Sequence, residues 1–384
     1  MARLHFAIDA SRATRVRRTG TENYARQITE WLVRKQEGVQ WTLFFRDDPG
    51  TWLKDLPHVE REILPRPRLW TYTALAPALL ARHPDAFWEP AHVLPPTAPL
   101  AHIPSLVTVH DLGYEHFPEA HTAIQRCYLQ LTTRYHARAA THIAVDSHAT
   151  RHDLIALYDA DPSKISVVHL GVDHEVFYPV TDPERLHSIR ERYRTGKRFL
   201  LYVGTLQPRK NLRRLVRAFA PLTNDFPDVK LVLAGGEGWL ADDLQVEIDT
   251  LGIATQVVRP GYVVDADLPS LLSSAEVLVF PSLFEGFGLP VLEAMACGTP
   301  VLTSTTSSLR EVAGEAALLV DPTSEQQITN ALRLLLTQPA LRVALRERGL
   351  ARAAHFTWER SAAQIWELLV ARVHSCSSNR ISCY

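Results

Sequence analysis

Two carboxylates with seven residues between them, Glu285 and Glu293, bracket the turn Gly286-Phe287-Gly288 in the stretch FPSLFEGFGLPVLEAMACGTP, which begins at Phe280. The glycines let backbone approach a ligand closely. Pro290 marks the first position of a helix, whose leading N–H groups suit an anion. Glu293 falls within the first turn or so of that helix. An acid there is compatible with the helix dipole, but an anionic ligand would be repelled by it. It is better suited to ribose hydroxyls, which leaves Glu285 to meet sugar hydroxyls. The same letters also fit a loop with two solvated glutamates and a dipole-stabilising acid. A second stretch, Gly204-Thr-Leu-Gln-Pro-Arg-Lys-Asn211, sets Arg209 beside Lys210 at a helix start. There a forked guanidinium and a point charge can hold the same phosphates. Two surface cations on a solvated turn are the plainer reading. A place at the carboxyl end of a parallel strand favours the ligand.

The elements that must position these groups can be read from the alternation of apolar runs and amphipathic stretches. Residues 4–9 and 199–203 form continuous apolar strands, each followed by a loop and a helix, over residues 22–35 and 212–220. This is the pattern of parallel α/β sheets. Further strands are expected over residues 105–109, 142–145, 230–234, 255–259, 277–280 and 300–304. Helices are expected over residues 124–140, 268–274, 290–296 and 325–336. Two doubly wound domains follow, with the join near residues 170–181, where Gly171 and Pro179 punctuate the chain. Residues 57–104 are proline-rich and read as loops with short helices. A last helix starts after Thr357 as N-cap, and the final dozen residues are expected to be disordered.

Composition narrows the class. The chain has 384 residues and a formal net charge of −1, without the basic excess of a nucleic-acid binder. Its four cysteines, Cys127, Cys297, Cys376 and Cys383, form no C-x-x-C pair, so neither a zinc site nor a disulfide framework is indicated. A reducing, cytoplasmic compartment fits best. The first apolar stretch is too short for a signal sequence, and no run approaches the ~18 apolar residues of a membrane span. Arg12, Arg15, Arg17 and Arg18 form a local basic cluster. It reads as a solvated loop, or as a contact for a phosphorylated or lipid-linked acceptor or an anionic membrane surface.

Taken together, these segments resemble the family-4 retaining glycosyltransferases of GT-B fold. The resemblance extends to about residue 372 and is strongest over residues 201–322, in the phrases YVGTLQPRKNLRRLVRAF, LVLAGGEGWL and FPSLFEGFGLPVLEAMACGTPV. It implies two Rossmann-like domains facing a cleft: residues 1–178 for the acceptor and residues 179–356 for a nucleotide-sugar donor. Residues 357–372 form a helix returning to the first domain, and residues 373–384 a disordered tail. It implies that Arg209 and Lys210 hold the donor pyrophosphate, with Gly204 in the same donor site, that Glu285 contacts the transferred hexose, and that the backbone of Gly286, Phe287 and Gly288 hydrogen-bonds that hexose. Leu289 presents its N–H to phosphate, Glu293 grips the ribose, and the base lies near Tyr262 and Val263. His110, at the end of the strand Ser105-Leu-Val-Thr-Val109, is implied near the reacting carbon. A histidine at a strand end is otherwise more often structural, and Asp111 caps the next element or contacts substrate. Gly20 occupies the family's first glycine-rich loop, which here departs from the usual double glycine, and is the donor-site candidate for close approach to phosphate or acceptor.

The expected reaction is transfer of a hexose, with retention, to a hydroxyl of a glycan or lipid-linked acceptor in surface-polysaccharide or glycoconjugate synthesis. No cofactor is expected beyond the nucleotide sugar as co-substrate. No metal is expected either. Asp265-Ala-Asp267 opens a helix, with Asp267 as its N-cap, rather than ending a strand. The stretches GEGWL and SSLREVAGEAALLVDP resemble bacterial mannosyltransferases that use GDP-mannose. A UDP-sugar such as UDP-glucose stays open, as does a non-catalytic nucleotide-sugar-binding protein. A dinucleotide-dependent oxidoreductase is disfavoured, because the first loop lacks G-x-G-x-x-G.

Overall fold

The computed structural model describes residues 3–14, 19–66, 68–91, 93–236 and 241–381. The chain divides into two compact units. The first comprises Met1–Leu112, Thr122–Gly171 and Trp358–Tyr384; the second comprises Gly113–His121 and Val172–Thr357.

The first unit holds strands β1 (His5–Asp9), β2 (Gln40–Phe45), β3 (Val59–Ile63), β4 (Ala86–Glu89), β5 (Ser105–Val109), β6 (His142–Val145) and β7 (Ile165–Val167). They form one parallel sheet in the order β3-β2-β1-β4-β5-β6-β7. The chain winds outward in both directions from the β1/β4 junction, where an open α/β sheet leaves a crevice at its carboxyl edge. Helices cover the sheet, so its central strands are buried on both faces and can be apolar throughout. Phe6, Ile8, Phe87, Trp88, Leu106 and Val107 are all fully buried.

The proline-rich residues 57–104 contain two strands that the sequence reading placed in loops. β4 is only Ala-Phe-Trp-Glu, too short to show a period, yet it lies in mid-sheet. β3 is a charged edge strand whose Glu60 and Glu62 pair with Arg82. The final helix, Trp358–Ile381, belongs to this unit through aromatic contacts: Trp366 meets Phe6 and Trp41 with centroids 5.2 and 6.0 Å apart. It continues through residues 373–381, which were expected to be disordered. No proline or glycine interrupts it, so nothing breaks the run of backbone hydrogen bonds.

The second unit holds β8 (Arg198–Val203), β9 (Val229–Ala234), β10 (Val257–Gly261), β11 (Val277–Phe280), β12 (Val301–Ser304) and β13 (Leu318–Val320). They form a parallel sheet in the order β10-β9-β8-β11-β12-β13. Its switch point lies between β8 and β11, whose following loops carry the Arg209–Lys210 and Glu285–Glu293 segments. Among the described residues no helix is long and apolar enough to cross a membrane.

Candidate active site

The floor of the second unit's site is built by backbone at three strand ends. Gly204 N–H donates to Ala234 O (2.9 Å), Gly235 N–H to Gly261 O (2.8 Å) and Leu206 N–H to Gly236 O (3.0 Å). Gly235 has φ +154°, and a Cβ there would lie 1.9 Å from the Gly204 carbonyl oxygen. Only glycine permits that approach.

From this floor the turn Pro208–Lys210 leads into the helix Leu212–Phe219 through Asn211, whose φ is +63°. Asn211 Nδ2 donates to Pro281 O (3.1 Å) and Pro322 O (2.6 Å), and Leu283 N–H donates to Arg209 O (2.8 Å). These bonds tie the basic turn to the loop after β11. Three charged groups then meet. Arg209 Nη1 donates to Glu285 Oε2 (3.2 Å) and to Phe284 O (3.2 Å), and Lys210 Nζ donates to Glu285 Oε1 (2.5 Å). The Lys210 and Glu285 side chains are buried, and Arg209 is 25 % exposed. Lys210 also lies 5.1 Å from the centre of the Phe280 ring, which itself stacks on Tyr202 at 5.7 Å. Two cations face one carboxylate in a low-dielectric place, an arrangement that suits an anion.

The Glu285 loop is fixed from outside. Its Glu285 N–H donates to Ser307 Oγ (3.0 Å), and Ser308 Oγ donates to the Glu285 and Phe287 carbonyls, each at 2.9 Å. Gly288, at φ +106°, packs so close that a Cβ would sit 2.7 Å from Leu309 Cδ2. The next helix is Leu289–Ala296, so Leu289 takes the first helical position and Pro290 the second, one place later than expected. Glu293 consequently lies just past the first turn. Burial, followed by the nearby Asp265, pushes its carboxyl up to about 7. Among the described residues its side chain receives no hydrogen bond that would favour the ionised form.

Tyr262 and Val263 follow β10, at the outer edge of the sheet. Tyr262 is exposed and its hydroxyl donates to Asp265 Oδ1 (2.8 Å), while Val263 is buried. Asp267 occupies the N-cap position of helix Leu268–Ser274, but its side chain does not cap it. Instead it accepts from Arg192 and from the Tyr193 hydroxyl, both at 2.7 Å.

The remaining expected residues lie in the first unit. Gly20 is the first residue of helix Gly20–Lys35, which starts two residues earlier than expected. There Glu22 accepts from Thr19 N–H (3.0 Å) and Arg12 (3.2 Å). Arg15, Arg17 and Arg18 lie outside the described residues. His110 follows β5, with Nδ1 2.8 Å from Asp146 Oδ2 and Nε2 2.9 Å from Pro90 O. The ring of Tyr24 stands edge-on to it at 5.0 Å.

The structure thus gathers Arg209, Lys210 and Glu285 into one cluster, with Gly204 and residues 286–289 on the same two loops. Sequence reasoning missed Asn211 and Gly235 as the parts that shape these loops, and Asp146 as the partner of His110. One signal for Asp146 was present: it is the first residue after a strand, as His110 is.

Two family models match the chain, "Glycosyl transferases group 1" over residues 185–352 and "Glycosyltransferase Family 4" over residues 18–176. The chain is 33 % identical over 265 residues to the O-antigen chain mannosyltransferase B of Escherichia coli, with 68 % of each chain covered. It is 35 % identical over 249 residues to the MMP alpha-(1->4)-mannosyltransferase of Mycolicibacterium hassiacum, where the match covers 62 % of this chain and 57 % of that relative's length. Among solved structures, sucrose-phosphate synthase from Thermosynechococcus elongatus superposes with a TM-score of 0.75 at 23 % identity, covering 95 % of this chain and 98 % of that one. Anabaena HepE in complex with UDP-glucose superposes at 0.74 and 19 % identity, covering 96 % and 99 %. At such identities the structural likeness is one of fold.

Proposed function

This chain belongs to the family-4 glycosyltransferases, and on that premise we propose that it moves mannose from GDP-mannose to a hydroxyl of a glycan or lipid-linked acceptor, with retention and without a metal ion. The observation that carries the reading is the Arg209–Lys210–Glu285 cluster at the β8/β11 switch point. Its two cations suit a diphosphate. Preorganised charge at a departing nucleoside diphosphate stabilises the transition state without reorganisation when the bond breaks. Arg209 and Lys210 supply that charge in place of a divalent metal, assisted by the N–H groups that open helix Leu289–Ala296. Glu285, released from one cation as phosphate arrives, turns to the hexose hydroxyls. Glu293 takes the ribose, whose hydroxyls donate to its two carboxylate oxygens. A donor phosphate oxygen takes the acceptor proton, so no protein base is assigned.

Mannose as the transferred sugar is supported by the names of the two relatives above. UDP-glucose is the second reading, favoured by the HepE complex. A lipid-linked acceptor agrees with the outward face of helix Ala123–Ala139, where Ile124, Tyr128 and Leu131 are exposed. Residues 121–145 hold Arg126, Arg134 and Arg138 and no acid, a composition suited to an anionic bilayer surface.

Thermal shift with GDP, UDP, GDP-mannose and UDP-glucose, followed by turnover of the stabilising donor in EDTA, tests the reading. A ligand at about 100 Kd should stabilise the fold by about 2.7 kcal/mol. If none of the four raises the melting temperature, the donor assignment is lost. If only the uridine compounds act, mannose gives way to the second reading. Turnover that EDTA abolishes and magnesium restores would remove metal independence.

A further inference from the structure

In the first unit, His110 and Asp146 are the residues that immediately follow β5 and β6. Those strands pair with Val109 opposite Val145, so the two side chains leave the same edge of the sheet side by side. Pro90, just past the end of β4, supplies the third group. Each ring nitrogen of His110 faces an acceptor: the Asp146 carboxylate at 2.8 Å and the Pro90 carbonyl at 2.9 Å. The Pro90 carbonyl can only accept, as can Asp146 when it is ionised, and a neutral imidazole carries a single N–H. With Asp146 ionised, both bonds form only with the imidazolium.

The surroundings agree. Burial disfavours a charged ring, Asp146 favours it through its charge and its hydrogen bond, and Asp111 adds to this; the balance lies above the ordinary histidine value. Tyr24, the titratable group on helix Gly20–Lys35 that meets the ring, is kept neutral by its own complete burial. Asp146 is 3 % exposed. Its second oxygen, Oδ1, is buried without a partner, so His110 is the neighbour that compensates its charge. His169 adds a weaker attraction to Asp146.

We propose that Asp146 is a positioning residue that holds His110 as a doubly protonated, fixed cation, so that His110 serves sugar transfer through charge and direction and never as a base. The kinetic half of this statement rests on the glycosyltransferase reading. The charge state does not.

Two measurements on the full chain test it. The first is a pH titration of His110 by NMR with carbon-13-labelled histidine, assigned with His110→Asn. The wild-type ring should remain charged through neutral pH, and Asp146→Asn should lower its pKa by more than about one unit, since an amide cannot compensate the charge. The second is the pH profile of donor turnover. Asp146→Asn should lose about tenfold or more in kcat near pH 8 and recover toward pH 6, as the ring regains its proton, with the KM for donor little changed. Asp146→Glu should restore part of the alkaline activity, and His110→Asn should be slow at every pH. A merely structural Asp146 predicts instead a lower melting temperature with an unshifted pH profile, and that result overturns the proposal. So does a wild-type His110 that titrates at or below the ordinary value. Should Asp146→Asn not fold, the wild-type titration and the Asp146→Glu profile decide alone. A wild type that turns over no nucleotide sugar overturns the transfer reading and the kinetic role of Asp146 with it, while the titration still reads the charge of His110.

Discussion

The two units place charged groups at equivalent points, on loops directly after neighbouring parallel strands, yet the counts differ. In the second unit two cations, Arg209 and Lys210, share the single carboxylate of Glu285. In the first unit one imidazolium meets one carboxylate, His110 with Asp146. The first arrangement offers two cations at one point. The second is balanced and closed, with both ring nitrogens occupied by protein. The same position in the same kind of sheet therefore serves recruitment in one unit and rigidity in the other. Counting charges against acceptors tells the two apart more reliably than position does.

The sharpest way to break this comparison is to remove one of the two cations. Lys210→Ala should lower kcat by about 10²–10³-fold, the range for losing one preorganised donor. Stability should fall much less, because Arg209 still faces Glu285 at 3.2 Å. Steady-state kinetics and thermal melts of one preparation check both halves, and near-normal turnover would mean that the cluster is structural. The opposite substitution sharpens the contrast. Glu285→Gln removes the carboxylate that both cations face, so it should bind nucleoside diphosphate at least as tightly as the wild type by calorimetry. Transfer should still drop about 10²-fold as the sugar contact is lost. Weakened diphosphate binding would show that Glu285 orients the cations rather than competing with phosphate.

A third test concerns the floor beneath the cluster. In Gly235→Ala the new methyl would have to occupy space 1.9 Å from Gly204 O at a φ of +154°, so the loops after β8 and β9 must separate. We expect a loss of about 2–4 kcal/mol, read from denaturant unfolding. Donor affinity should fall with it, while the His110 titration in the other unit stays put. A matching shift of His110 would show that the two clusters are not independent.

How much of this could be read in the sequence follows from how local each signal is. β8 and β11 were legible because each is an unbroken apolar run ending in a turn signal, and Glu285, Arg209 and Lys210 sit within a few residues of those ends. β4 was not, since its burial comes from its place in mid-sheet and prolines crowd its neighbourhood. The pairing of Glu285 with Lys210 spans 75 residues, and that of His110 with Asp146 spans 36. Each exists only once strand order and register are set. The final helix runs on past residue 373 although that stretch shows no periodicity, because no proline or glycine breaks it.

The smallest effect belongs to Glu293, and it offers the finest contrast with Asp146. Both are poorly solvated carboxyls pushed above their ordinary range by burial. Asp146 has a cation to offset this, whereas for Glu293 the second influence, Asp265, acts in the same direction as burial. A carboxyl whose folded value is about 7, above its unfolded value, contributes stability that is complete at pH below the unfolded value. That contribution is lost as pH rises to the folded one. Wild-type stability should therefore decline between about pH 4.5 and pH 7, the window between those two values. Glu293→Gln, which keeps the shape and cannot ionise, should flatten that part of the profile and be the more stable protein at neutral pH. Its affinity for a nucleoside diphosphate should be lower all the same, because an amide cannot reproduce a carboxylate's two acceptors toward ribose. Unfolding at a series of pH values, with calorimetry of GDP binding, separates the two. A variant whose stability still falls across that window would move the titration to another group, and one that binds GDP as the wild type does would take Glu293 out of the donor site.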